Sequence, residues 1–547
     1  MYYRLNILSG LLMLMLIGCQ SENISDKIEL GLNTEVGQEI LSSRNLRKRI
    51  MSDPYRPIYH FVSPDGNANP FDPNGAIFWK GKYHLGFIYQ SLNRGKREHF
   101  WGHVVSTDLL HWRLYPDMLD VKEGDHEIGI FSGGSFLSRE GVPHVIYHGW
   151  GAESNMVAYA ADDDLTEWIK FEGNPVSRTP ESGDPMFGKY QAWDPEAWYD
   201  SETDYYYQIT GGDKAGYFRS KDMLEWDYLG DFINQDNRMR HDFEDLSCPD
   251  FFAVGDKHML LFISHSLGSQ YYLGTFSNGQ FKAEEHGRMN WPGGTFFAPE
   301  QLVDDKGRNI IWGWILERQP ELLNWVDHWE EEEKNAQRFL TTGWSGIMSL
   351  PRVISLSANN EVLISPAQEL TQLRQKGAEI PEFLLAPNAE KELPIRGKSL
   401  EILVELKVAS EPFGIKVFSS LESKEETVIK YDPQAQELII DFSKSAVSGN
   451  GQVKMLPNCM FEPQLEGFTE PISEQRAPFE LKAGEVLRLN IFLDRSVIEV
   501  FANDRLCMTQ VVYPELENSD GVEIFSTDSA VEVLSVKIWS MAATNFY

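Results

Sequence analysis

Asp108-Leu-Leu-His-Trp112, Asp164-Leu-Thr-Glu-Trp168 and Asp222-Met-Leu-Glu-Trp226 share one pattern: an Asp, an apolar residue, two variable positions and a Trp. They stand 56 and 58 residues apart, and repetition at a fixed period is the mark of an architecture built from like units. The Asp is suited to cap a tight turn after one strand, and the Trp to pack between neighbouring sheets. A second series marks where inner strands begin. Asp72-Pro73, Asp194-Pro195, Cys248-Pro249 and Ala298-Pro299 are each followed by an apolar strand. Proline is tolerated at the first position of a strand, where its missing N–H costs nothing.

A period near 57 divides the roughly 300 residues from 55 to 352 into five units of about four strands, the content of β-propeller blades. After Ser349-Leu-Pro-Arg352 the texture changes to short alternating strands such as Glu401–Val408 and Leu487–Phe501, which read as a β-sandwich. The expected fold is therefore all-β: a five-bladed β-propeller over 53–355, then a C-terminal β-sandwich over 356–547. Residues 315–343 interrupt the fifth unit. Their acidic run Trp329-Glu-Glu-Glu-Glu-Lys334 is expected to form a solvated helix.

The chain has 547 residues, with 42% hydrophobic and 12% aromatic side chains, enough for a large core. Its net charge of −33 excludes nucleic acid and anionic surfaces as partners and suits a neutral saccharide. Residues 1–19 hold Arg4 and an apolar run from Ile7 to Ile17, too short to span a bilayer. The run ends Leu16-Ile17-Gly18-Cys19, which resembles a bacterial lipobox. That resemblance implies cleavage before Cys19, lipidation of its thiol, and an exported lipoprotein held at the cell envelope, with residues 20–52 as a tether. No cysteine pair has metal or redox spacing, and Cys459 and Cys507 are expected as buried thiols that can bridge only in an oxidising compartment. Asp162-Asp163-Asp164 falls on the turn repeat, so turn capping is expected there, and no metal or cofactor site is evident.

Strands radiating from one channel bring their first residues around a single funnel, so Asp72 and Asp194 converge despite their separation in sequence. Hydrolysis of a glycoside needs a carboxylate facing the anomeric carbon and an acid for the leaving oxygen. Asp72-Pro-Asn-Gly75 with Tyr89-Gln90, Trp101-Gly-His103, Phe131-Ser-Gly133, Gly343-Trp-Ser-Gly-Ile-Met-Ser-Leu-Pro-Arg352 and Phe492-Leu-Asp-Arg-Ser-Val-Ile-Glu-Val-Phe501 stand in order along the chain. Together they resemble glycoside hydrolase family 32, the β-fructofuranosidases, inulinases and levanases. The resemblance implies a retaining mechanism on fructosyl units of sucrose or fructans, with Asp72 as nucleophile and Asp194 as transition-state stabiliser. It also implies that Asn74, Gln90, Trp101, Phe131, Ser132 and Trp193 bind the sugar.

Three positions depart from the family pattern. Phe71 precedes the nucleophile in place of Asn, Trp193 replaces the Arg of Arg-Asp-Pro, and Ser247 stands where the acid of Glu-Cys-Pro belongs. A serine hydroxyl is too weak an acid for that task. Glu244, three residues earlier, reaches the same place if the strand start is bulged; Asp245 is a second candidate, and loss of the acid a third. Phe71 and Trp193 keep open a propeller glycosidase of other specificity, and Ser247 a glycan-binding lipoprotein.

Overall fold

The computed structural model describes residues 35–63, 68, 70–91, 98–233, 244–265, 267–317, 343–448 and 472–545. Cys19, the acidic run 329–334 and Cys459 lie outside them. Glu35–Ser52, expected as tether, is an α-helix rich in Glu, Leu, Arg and Lys, with Arg49 in the last turn, where the helix dipole favours a cation.

The Asp–Trp repeat makes the outer turns of three blades. Asp108 Oδ1 accepts the amides of Leu110 and His111 at 3.0 and 2.8 Å, and Asp222 Oδ1 those of Leu224 and Glu225 at 2.9 and 3.2 Å. In all three repeats the apolar residue after the Asp is buried with positive φ: Leu109 at 67°, Leu165 at 56° and Met223 at 63°. Capping amides and a buried side chain together hold a conformation that L-residues otherwise avoid. The indole N–H groups of Trp168 and Trp226 close the turn on the carbonyls of Leu165 and Met223. The middle repeat differs in one respect. The cap is Asp162, whose Oδ1 accepts the Thr166 amide at 2.9 Å, while Asp164 pairs with Lys82 on the neighbouring blade.

Five sheets follow in chain order. The first holds Pro73–Trp79, Lys82–Ser91, Glu98–Ser106 and Arg113–Leu119, and the third and fourth are likewise consecutive four-stranded antiparallel meanders. The second carries two short extra strands, and the fifth is built on Phe296–Val303, Asn309–Ile315, Arg352–Leu356 and Val362–Pro366. The fifth sheet thus runs to Pro366, beyond the boundary at 355 set by sequence texture. Hydrogen bonds near the inner strands join each blade to the next: Gly75 to Gly133, Asn155 to Trp193, Gly212 to Leu246, Ser269 to Phe296, and Ala76 to Glu300. The last of these returns to the first blade and closes the ring. The closure is reinforced where Val62 bridges Ile347 and Ser63 donates to Gly346. Gly346 must be glycine, since its φ is +79° and a Cβ would lie 2.7 Å from the Phe71 ring.

The sandwich comprises a seven-stranded and a six-stranded antiparallel sheet. Along Leu487–Asp494 burial alternates at first and then becomes continuous, because one face meets the partner sheet and the other meets the propeller. Asp494 accepts the amides of Ile58, Tyr59 and His60 and touches His60 Nδ1 at 3.0 Å. Glu499 takes His60 Nε2 at 3.1 Å, Arg352 Nη2 at 2.7 Å and the Leu350 amide at 2.7 Å. All four side chains are buried, so this network fastens one domain to the other in low dielectric.

Candidate active site

Asp72 precedes the first inner strand. Its carbonyl accepts the Ile88 amide at 3.0 Å and Asn74 Nδ2 at 2.7 Å, while Asn74 Oδ1 accepts the Gly133 amide at 2.9 Å. Asn74 is therefore a buried clamp between blades one and two that fixes where Asp72 points. The Asp72 carboxylate accepts Ser132 Oγ at 2.8 Å on Oδ2, and the Cys248 thiol approaches the same oxygen at 3.9 Å. Asp194 Oδ2 receives the Cys248 amide at 3.3 Å and its thiol at 3.6 Å. Three strand starts far apart in sequence thus meet at one sulfur. Cys248 has φ 45° and the equivalent Ala298 φ 43°, each beside a bulge in its strand pairing. Backbone conformations of this kind cluster at functional sites.

Burial pushes the Asp72 carboxyl up to about 6, against hydrogen bonds from Ser132 and Cys248 and the charge of His265. Burial and the neighbouring Asp72 charge push Asp194 up to about 7, again opposed by His265 and Cys248. The Asp72 charge acts on Asp194, so the two protons leave in successive steps that belong to the pair. Burial and both carboxylates drive the Cys248 thiol well above its usual range, which leaves it a neutral donor between them.

The fourth blade departs from expectation. Ser247 is buried and its hydroxyl donates to Asp245 Oδ2 at 2.9 Å. Its strand is bulged between Ser247 and Asp250, the condition on which Glu244 would take the acid's place. The Glu244 carboxylate accepts Gln270 Nε2 at 2.7 Å and the Tyr272 hydroxyl at 3.4 Å, both on the third strand of the blade, Gly268–Ser277. Asp245 instead turns to His265, accepting its Nδ1 at 2.6 Å and its amide at 2.8 Å. His265 was not among the expected site residues. Its signal lies in the two-residue turn at Gly255-Asp256, which fixes the register of the hairpin, pairs Ser247 with Ile263 and sets His265 opposite Asp245.

The remaining expected residues divide into wall and support. Phe131 and Trp193 are half-buried, and the His148 ring lies between them, 6.4 Å from one and 4.7 Å from the other. Burial lowers the His148 pKa to about 4, so this wall is neutral. Trp101 is wholly buried, and its indole N–H is spent on the Phe131 carbonyl at 2.9 Å; it holds the wall from behind. Gln90 is buried as well, with Nε2 on the Pro70 carbonyl. Phe71 packs on Phe87 and Phe61 within the core, so the change from Asn strengthens the anchor behind Asp72 and leaves the sugar side of the site untouched.

Two buried carboxylates beside an aromatic wall, at the inner strand starts of a five-bladed propeller, define a glycoside hydrolase. The chain matches the Glycosyl hydrolases family 32 N-terminal domain over residues 60–366 and the Glycosyl hydrolases family 32 C terminal domain over 369–540, and it belongs to that family. It is 28% identical over 521 residues to a levanase from Bacillus subtilis, covering 88% of this chain and 70% of that protein. It is 25% identical to a sucrose-6-phosphate hydrolase from Escherichia coli, covering 89% and 95%. Among solved structures, fructan 1-exohydrolase IIa from Cichorium intybus superposes with a TM-score of 0.72 at 21% identity, covering 90% and 98%, a likeness of fold.

Proposed function

We propose that this protein is a retaining β-fructofuranosidase that releases fructosyl units from sucrose or fructans. The observation that carries the reading is the placement of Asp72, with its backbone clamped by Asn74 and one carboxylate oxygen on Ser132 Oγ. In the proposed reaction Asp72 attacks C2 of the fructosyl unit and the glycosidic C2–O bond breaks. Water then displaces Asp72 from the fructosyl-enzyme intermediate. Asp194 faces the developing oxocarbenium ion and holds sugar hydroxyls, and the wall of Phe131 and Trp193 packs on the sugar face. Family membership and the levanase and sucrose-6-phosphate hydrolase relatives support this substrate class.

Asp72→Asn is expected to lower fructose release by at least about 10⁴-fold, the scale on which removal of a nucleophile acts, with thermal unfolding unchanged. Wild-type rates in that variant would remove Asp72 from the role. We also propose, on the sequence Leu16-Ile17-Gly18-Cys19, that the protein is an exported lipoprotein of the cell envelope. Labelled palmitate is expected to enter the wild-type chain expressed in a bacterium and to be absent from Cys19→Ser; equal labelling of both would refute the anchor.

A further inference from the structure

Among the described residues, neither expected place supplies the proton for the leaving oxygen: Ser247 stands at the acid's position, and Glu244 is bound to the third strand. The same strand starts present another titratable group. His265 directly follows the second strand of the fourth blade, Lys257–Ser264, and its amide bonds Asp245, two residues before Ser247. Its ring is held from two sides. Nδ1 lies 2.6 Å from Asp245 Oδ2, and the ring meets the Phe297 ring edge-on at 6.1 Å. Asp245 is itself fixed by Ser247 Oγ, Ser264 Oγ at 3.2 Å and the His265 amide. The His265 side chain retains 27% exposure, whereas Asp245 retains 12%, so the ring is the member of the dyad that a bound sugar can reach.

We propose that His265, oriented by Asp245, is the general acid and base of this enzyme, in place of the carboxylic acid that Ser247 has displaced. The inference rests on the glycosidase reading of the same site. Asp245 is held below the usual carboxylate range, since its hydrogen bonds and the His265 charge outweigh burial. As a carboxylate it only accepts, so Nδ1 donates to it and Nε2 is the titrating atom of the ring. In the first half-reaction Asp72 forms the bond to C2, the C2–O bond breaks, and the Nε2 proton passes to the departing oxygen. In the second, neutral Nε2 takes a proton from the attacking water, the C2–O bond to Asp72 breaks, and the imidazolium is restored.

The charges that act on His265 are Asp245, which its ring touches, and Asp72 and Asp194, all acidic, with Cys248 a neutral thiol that approaches the latter two. Burial lowers the His265 pKa, but these three carboxylates raise it by more, so the ring titrates above 6.5. The productive state, Asp72 ionised and His265 protonated, is populated above about pH 6 and is lost as pH rises through the imidazolium pKa. A fructofuranosyl cation is tertiary and stabilised by the ring oxygen, so an acid of imidazolium strength is sufficient for departure of an alkoxide.

The test is His265→Gln assayed on two substrates, sucrose or levan and 4-nitrophenyl β-fructofuranoside. The natural substrate needs the proton, and the nitrophenolate leaves without it. The expected result is a loss of about 10²–10⁴-fold in kcat/KM on the natural substrate, with kcat/KM for the aryl fructoside, which reports only the first half-reaction, kept within about tenfold. Equal loss of kcat/KM on both, or natural-substrate kcat/KM kept within threefold, overturns the proposal. Should the variant not fold, the wild-type alkaline limb decides. Imidazolium ionisation has a large enthalpy, so that limb must move to lower pH on warming; a limb that stays put, as for a carboxylic acid, overturns it too. Wild-type enzyme inactive on every fructoside would sink the fructosidase reading, a result distinct from either outcome in the variant.

Discussion

A carboxylate that is to attack carbon must be ionised, yet Asp72 is buried and its pKa is pushed up to about 6. Ser132 is the strongest of the groups opposing that burial. A hydrogen bond to a charged group contributes about 1.5–3 kcal/mol. The sign follows directly: the Asp72 pKa is raised in the folded enzyme, Ser132 limits the rise, and losing Ser132 lets it climb further. Ser132→Ala should therefore move the acid limb of kcat/KM upward by about one pH unit, with turnover partly recovered at higher pH. An acid limb left in place would mean that Asp72 does not control it. Cys248 acts in the same sense on both carboxyls, but as a neutral donor, since burial and the two negative charges keep its proton on.

At the scale of elements, two local devices repeat around the ring. The outer turn pairs a capping Asp with a buried apolar residue at positive φ, and its stringency lies in that combination; the middle blade moves the cap to Asp162 and keeps the geometry at Leu165. The inner device is the strand start before proline, found in four of the five blades; its pairing is bulged at Cys248 and Ala298 and regular after Asp194. At Cys248 both the amide and the thiol are directed to Asp194. Asp72, Asp194 and Cys248 occupy this position in their blades, and the channel side two residues further holds Asn74, Glu196 and Asp250, all buried.

Across the whole molecule, the joint between propeller and sandwich is carried by His60, Arg352, Asp494 and Glu499. Although burial lowers it, His60 is raised to about 9 by the hydrogen bonds it donates to Asp494 and Glu499; its contribution is complete below 6.5 and lost as pH rises through 9. Glu499 is depressed to about 2 despite burial, chiefly by Arg352 and His60; its contribution is complete above 4.5 and lost as pH falls through 2. The joint is thus at full strength between pH 4.5 and 6.5. Glu499→Gln should cost about 3–5 kcal/mol, because it leaves the Arg352 charge buried without its partner. Thermal unfolding across pH checks this, and a variant as stable as wild type at pH 6 would show that the network carries no load. The sequence determined the all-β class, the blade period, the sandwich and the convergence of Asp72 with Asp194, since turn caps, strand-starting prolines and alternation are local signals that repeat. It also placed Arg352, Asp494 and Glu499 in two motifs without showing what they join. Only the tertiary structure decided that Glu244 turns to Gln270, that Trp101 supports the wall from behind, and that Asp245 holds the His265 ring. Those outcomes depend on a bulge register and on contacts across blades, and a displacement of one residue along a strand reverses the face each side chain takes.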